Sequence, residues 1–137
     1  MRLKDIMTTH VECVRPDETL ARAASLMRRR RIHHLVVADG RRIIGVLSES
    51  ALQTRDAEGV AKVGDAVPRH VVLGSPEMTV RQAAHLMRNR ADSALPIVSG
   101  TRLVGIVTVS DLLAVLERQN GNLVASGKTP TARAAGR

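Results

Sequence analysis

The stretch GIVTVSDLL, residues 105–113, decides the fold. Its β-branched first half suits a buried strand, and its second half opens a helix on Thr-x-x-Asp, a capping pattern. Sixty residues earlier the chain repeats the design as GVLSESALQ, residues 45–53. Sliding the sequence on itself by 60 residues aligns 3–52 with 63–112 without a gap, and 17 of those 50 positions are identical. They include Asp5/Asp65, His10/His70, Pro16/Pro76, Thr19/Thr79, Gly40/Gly100, Gly45/Gly105 and Ser50/Ser110. Chance gives only a few such matches, so the chain is a duplication whose halves share one fold. One contrast stands out: Asp111 has Ala51 as its counterpart.

Each half reads in the same order. VECV (11–14) and VVL (71–73) are short β-rich segments, each soon followed by a proline. Thr19 and Thr79 then act as helix N-caps; TVRQ (79–82) predicts a full capping box, whereas TLAR (19–22) predicts a cap alone. Leu20, Ala23, Ala24 and Met27, and Val80, Ala83, Ala84 and Met87, recur at helical spacing. Next come LVV (35–37) or LPIV (95–98), a turn at DG (39–40) or SG (99–100), and IIGVL (43–47) or LVGIV (103–107). A final helix is marked at 50–53 and more clearly at 110–119. The result is an α+β fold of two β-α-β-β-α units. Half-units of about 50 residues cannot bury both faces of a small sheet alone, so the copies are expected to pack sheet to sheet. The expected division is repeat one at 3–53, a linker at 54–62, repeat two at 63–119 and a disordered basic tail at 120–137.

Composition narrows the function classes. The chain has no Phe, Tyr or Trp and a net charge of +8. Single-strand nucleic-acid binders combine basic grooves with aromatic stacking platforms, and those platforms are missing. Three basic residues, Lys128, Arg133 and Arg137, lie in the expected tail; without them 18 basic face 13 acidic residues. Nucleic acid is therefore a disfavoured partner. No apolar run reaches the ~18 residues of a membrane span and no signal-peptide pattern opens the chain, which predicts a cytoplasmic protein without a membrane partner. The lone Cys13 excludes an internal disulfide and is expected to be a small buried apolar residue. No nucleophile–base constellation, HExxH, GxSxG or P-loop is present, which predicts a protein that is not an enzyme.

The opening DIM (5–7), LPIV (95–98) and GIVTVSD (105–111), in tandem copies at one gapless offset, resemble the CBS domain family over residues 3–117. The resemblance implies a pseudo-twofold pair of CBS repeats, a Bateman module, that forms homodimers and binds AMP, ADP, ATP with its Mg, or S-adenosylmethionine between repeats. By position it implies a site of Ile106, Thr108, Ser110 and Asp111 from repeat two with Met7, Glu12, Ile32, His33 and His34 from repeat one. Asp111 would accept from ribose hydroxyls, aliphatic Met7, Ile32 and Ile106 would sandwich adenine, and Glu12 would read the base edge. The helix N-terminus and the Thr108 and Ser110 hydroxyls suit a phosphate. Asp111 also fits a plain capping role, and the two roles are compatible. The mirror cleft would use Val46, Ser48, Ser50 and Ala51 with Val67, Val72, Asp92, Ser93 and Ala94; Ala51 offers no carboxylate there. Val36 departs from the family pattern, which has proline at that point. The run Arg28–Arg31 reads as a solvated complement to the helix dipole or as a phosphate-facing rim. His33 and His34, adjacent in sequence, point apart in a strand and do not share a metal. The leading expectation is an energy or adenosine-nucleotide sensor. The alternatives are a ligand-free CBS dimer that docks a partner protein, and a basic nucleic-acid binder.

Overall fold

The computed structural model describes residues 1–52, 61–68, 70–90 and 92–125, with side chains to residue 119. Repeat one contains β1 (Cys13–Val14), α1 (Leu20–Arg30), β2 (His34–Asp39), β3 (Arg42–Ser48) and α2 (Glu49–Leu52). Repeat two contains α3 (Val80–Arg90), β4 (Ala94–Ser99), β5 (Arg102–Thr108) and α4 (Val109–Ala125). A single 3-10 turn precedes each, at Leu3–Asp5 and Val63–Asp65.

The helix starts follow the expected capping chemistry. Thr19 accepts from the Arg22 N–H at 3.1 Å without reciprocation. Thr79 accepts from the Gln82 N–H at 3.0 Å, and the Gln82 side chain accepts from the Thr79 N–H at 2.9 Å, completing the box. Both β-hairpins form. Asp39 pairs with Arg42 and Ser99 with Arg102, which leaves Gly40–Arg41 and Gly100–Thr101 as two-residue loops. Each glycine has φ 65°, the left-handed value required at the first loop position of a type II′ turn.

The first strand is less regular than the sequence suggests. β1 pairs in parallel with β2 through Cys13↔Val36 and Val14↔Val37, giving the order β1-β2-β3. The expected strand 71–73 is absent, and its region meets β4 only at an isolated bridge, Gly74↔Ile97. The Val36 N–H donates to the Glu12 carbonyl at 3.1 Å, whereas Pro96, at the corresponding place in β4, has no N–H to give. Cys13 is exposed, contrary to expectation, because strand alternation gives the inward position to Val14. Partial burial and then the nearby Glu12 charge push its thiol above the ordinary range.

Two cores lie under the helices, and their membership crosses the repeats. Val63 is fully buried with Val14, Leu20, Ala23, Met27, Leu35, Val37 and Leu47 of repeat one. Leu3 is fully buried with Ala83, Met87, Leu95, Ile97 and Val107 of repeat two. Backbone bonds hold the exchange: Leu3 N–H to the Met78 carbonyl (2.8 Å) and Val63 N–H to the Glu18 carbonyl (2.8 Å). Each leading turn thus packs on the other repeat. A third cluster, Val36, Ala94 and Ile106 with Val11, Ile43, Val46 and Leu103, joins the two sheets face to face. The expected linker falls mostly on residues outside the described set, as does 126–137 of the expected tail. Within that tail the backbone of α4 continues to Ala125, since a helix once nucleated propagates cheaply even through Asn and Gly.

Candidate functional site

The segment that crosses from repeat two to repeat one builds a cleft. Thr8 forms an antiparallel bridge with Ile106 of β5, its N–H donating at 3.0 Å and its carbonyl accepting at 2.9 Å. The chain then runs through His10, Val11 and Glu12 into β1. With the turn after α1 and the start of β2, these residues enclose about 480 Å³. That size lies within the range of small-molecule sites.

Of the expected site residues, the cleft brings together Glu12, Ile32, His33, His34, Ile106, Thr108, Ser110 and Asp111. Met7 is the correction. It packs into the repeat-two core against the bare face of Gly105, and Thr8 lines the cleft in its place. Strand alternation turns one of these neighbours inward and the other outward. Position matching alone missed His10, Val11, Arg30 and Arg31. The arginine run was the visible signal for the last two.

Asp111 stands in the first turn of α4. Its Oδ2 accepts from the Thr108 N–H at 2.8 Å, and its own N–H donates to Thr108 Oγ1 at 3.2 Å, so the capping box exists. No described residue occupies Oδ1. The carboxylate therefore serves the helix with Oδ2, and Asp111 is at the same time part of the cleft lining. Glu12 is compensated rather than bare: His10 Nε2 lies 2.8 Å and Arg30 Nε 3.7 Å from its Oε2. His33 Nδ1 is 2.7 Å from Glu49 Oε1, and His34 Nε2 is 2.9 Å from Ser93 Oγ, so the two rings take separate partners. Burial, followed by the neighbouring His33, lowers the pKa of half-buried His34; Asp111 and Glu49 pull the other way. Among the described residues no cluster of His, Cys, Asp and Glu is arranged to hold a metal ion.

The mirror cleft is smaller, about 220 Å³, and is lined by Val46, Ser48, Ala51, Ala66, Pro68, Asp92, Ser93 and Ala94. Of its expected members, Ser50 and Val67 are not in that lining, and Val72 lines a small adjoining compartment with Val46, Pro68, Asp92 and Ala94. The Ser50 hydroxyl turns to Ser48 Oγ at 3.0 Å, Val67 packs against the core of repeat one, and Val72 packs against that of repeat two. No helix among the described residues is long and apolar enough to cross a membrane.

Comparison with known proteins agrees with this architecture. The CBS domain family profile matches residues 3–57 and 63–118. The CBS domain-containing protein YhcV of Bacillus subtilis (strain 168) is 33% identical over 114 residues, covering 80% of this chain and 81% of that protein. The CBS domain pair of protein MJ0100, solved in complex with 5′-methylthioadenosine and S-adenosyl-L-methionine, superposes with a TM-score of 0.80 at 21% identity, covering 87% of this chain and 98% of that one. The cytosolic domain of the Mg2+ channel MgtE, solved in complex with ATP, gives a TM-score of 0.68 at 32% identity, covering 80% of this chain and 46% of that one. With both repeats matched and their cores interlocked through Leu3 and Val63, the chain belongs to the CBS domain family.

Proposed function

We propose that this CBS pair is a non-catalytic regulatory module that binds an adenosine compound in the Asp111 cleft. The observation that carries the reading is the uncommitted Oδ1 of Asp111 beside a ligand-sized space that also holds aliphatic surface and cations. In this assignment Asp111 accepts from the ribose hydroxyls, and Ile32, Ile106 and Val11 enclose the base. Thr108, Ser110 and the basic rim face a phosphate, with ATP bringing its Mg. Glu12, His33 and His34 shape the base pocket and its polarity. The adenosine ligands of the MJ0100 pair and of the MgtE domain support the ligand class. The mirror cleft is the degenerate partner: Ala51 brings no oxygen for a ribose, and 220 Å³ falls below the usual ligand range.

Ligand entry between the repeats would favour one relative tilt, and a homodimer in a reducing cytoplasm would transmit it as an energy or nucleotide signal. The dimer is supported by Val109, Leu113 and Leu116, apolar and exposed at helical spacing on α4. Repeats at 3–53 and 63–119 remain the working division of the chain.

The test uses the missing chromophores. A chain without Phe, Tyr or Trp barely absorbs near 280 nm, so a 260 nm band in a nucleic-acid-free preparation reports a co-purified nucleotide. Calorimetry with AMP, ADP, ATP and S-adenosylmethionine on wild type, Asp111→Ala and Asp111→Asn should show binding that weakens at least tenfold in the alanine variant. Equal affinity in wild type and Asp111→Ala removes the ribose assignment. No heat with any of the four favours the partner-docking scaffold.

A further inference from the structure

The two clefts meet where β2 and β4 begin. His33 and His34 line the Asp111 cleft, and their repeat-related counterparts, Ser93 and Ala94, line the mirror cleft. The backbone treats both sides alike: the Glu49 N–H donates to the His33 carbonyl at 2.9 Å, and the Val109 N–H to the Ser93 carbonyl at 3.0 Å. The side chains break the symmetry. His34 Nε2 lies 2.9 Å from Ser93 Oγ, a hydrogen bond between repeats that joins the lining of one cleft to the lining of the other. Its repeat-related pair would be Ala94 with His33, and alanine has no polar group to complete it. The crossing is therefore one-sided.

Imidazole chemistry makes that bond directional. A neutral ring carries one N–H and one accepting nitrogen, so fixing the role of either nitrogen fixes the other. In half-buried His34, Nε2 is held by Ser93, and among the described residues Nδ1 has no partner. A group that accepts from Nδ1–H leaves Nε2 as an acceptor, and the Ser93 hydroxyl must then donate to it. A group that donates to Nδ1, or a proton that binds there, makes Nε2–H the donor. Ser93 Oγ then accepts, and its own hydrogen is released toward the mirror cleft, whose lining also holds the carboxylate of Asp92.

We propose that the Ser93 hydroxyl relays the hydrogen-bonding state of the His34 ring across the repeats, so that whatever meets His34 in the Asp111 cleft decides whether Ser93 offers the mirror cleft a donor or an acceptor. The mirror cleft is then a response site rather than a vestige. By linkage the relay works in both directions: an acceptor on the mirror side favours the donating, protonated His34 ring. The inference stands apart from the adenosine reading, because its probe is the proton. Burial and the charges of His33, Asp111 and Glu49 act on His34, and Asp92 is not among the groups that do so directly. Glu12, His10, Arg30 and Arg31 share its cleft, and His70 lines the compartment beside the mirror cleft.

The experiment is a double-mutant cycle read on the His34 ring by nitrogen-15 resonance between about pH 8 and 5, a range that brackets histidine titration. His34→Gln assigns the signals, and thermal melts confirm that each variant is folded. With Ser93 in place, Asp92→Asn should lower the His34 midpoint and shift the neutral ring away from the Nε2–H tautomer, because the mirror-side acceptor is weakened. In the Ser93→Ala background the same Asp92→Asn change should leave the His34 midpoint where it was. Ser93→Gly removes the same hydroxyl and should repeat that loss, whereas Ser93→Thr keeps a hydroxyl and should keep the response. The proposal is overturned if Asp92→Asn leaves His34 unchanged with Ser93 present, or lowers its midpoint equally after the hydroxyl is removed. The calorimetric test of adenosine binding is untouched by either result.

Discussion

Met7 lies across the bare Cα of Gly105: a Cβ built there would stand 2.7 Å from Met7 Sδ and 3.0 Å from the Thr8 carbonyl oxygen. The corresponding glycine, Gly45, has room, with its nearest neighbour, Val67 Cβ, at 3.4 Å. Gly105→Ala should therefore cost about 1–3 kcal/mol through overpacking and loosen the Thr8–Ile106 bridge at the cleft wall. Gly45→Ala should remain within about 1 kcal/mol of wild type. Denaturant midpoints compare the two; equal losses would mean that Met7 swings clear without consequence.

Val36→Pro, which restores the usual family residue, removes the N–H that bonds the Glu12 carbonyl. We expect β1 to shorten, at a cost of about 0.5–1.5 kcal/mol for the lost bond, with Glu12 less firmly held. Faster hydrogen exchange at Val14 in the variant would register the change, and unaltered protection there would refute it.

His34 predicts a pH dependence of stability. Its folded pKa lies below the ordinary 6.5, so the unfolded chain binds the proton more readily. Its contribution is fully present above that value and is lost as pH falls through it toward the folded pKa. Wild type should lose melting temperature between about pH 7.5 and 5.5, and His34→Gln should lose less. Parallel melting curves for the two proteins across that window would exclude this source.

Leu113 and Leu116 are 58% and 52% exposed, which is where the proposed homodimer would bury apolar area. Light scattering should report twice 14.8 kDa for wild type and 14.8 kDa for Leu113→Glu. A monomeric wild type would assign the stripe to another partner.

Much of the architecture was legible because its signals are local. The capping box at Thr79, the hairpins at Gly40 and Gly100 and the gapless repeat depend on near neighbours or on one offset. The exchange of Leu3 and Val63 was hidden for a related reason: periodicity marks a residue as buried, but two equivalent copies offer it equivalent cores. At the site, Asp111 and its neighbours on β5 and α4 could be placed by motif. Met7 and Thr8 could not, because a single bridge to Ile106 sets which of them faces the cleft. The absent strand at 71–73 traces to one missing donor at Pro96, and its β-rich composition gave no warning.

The crossed anchoring of Leu3 and Val63 makes each repeat the stopper of the other. Extracting either residue uncorks a hydrophobic interior at a cost of about 1.5–3 kcal/mol for the buried side chain alone. Neither half is complete by itself, so melting should proceed as one all-or-none event, and fragments nicked between residues 53 and 60 should stay clasped.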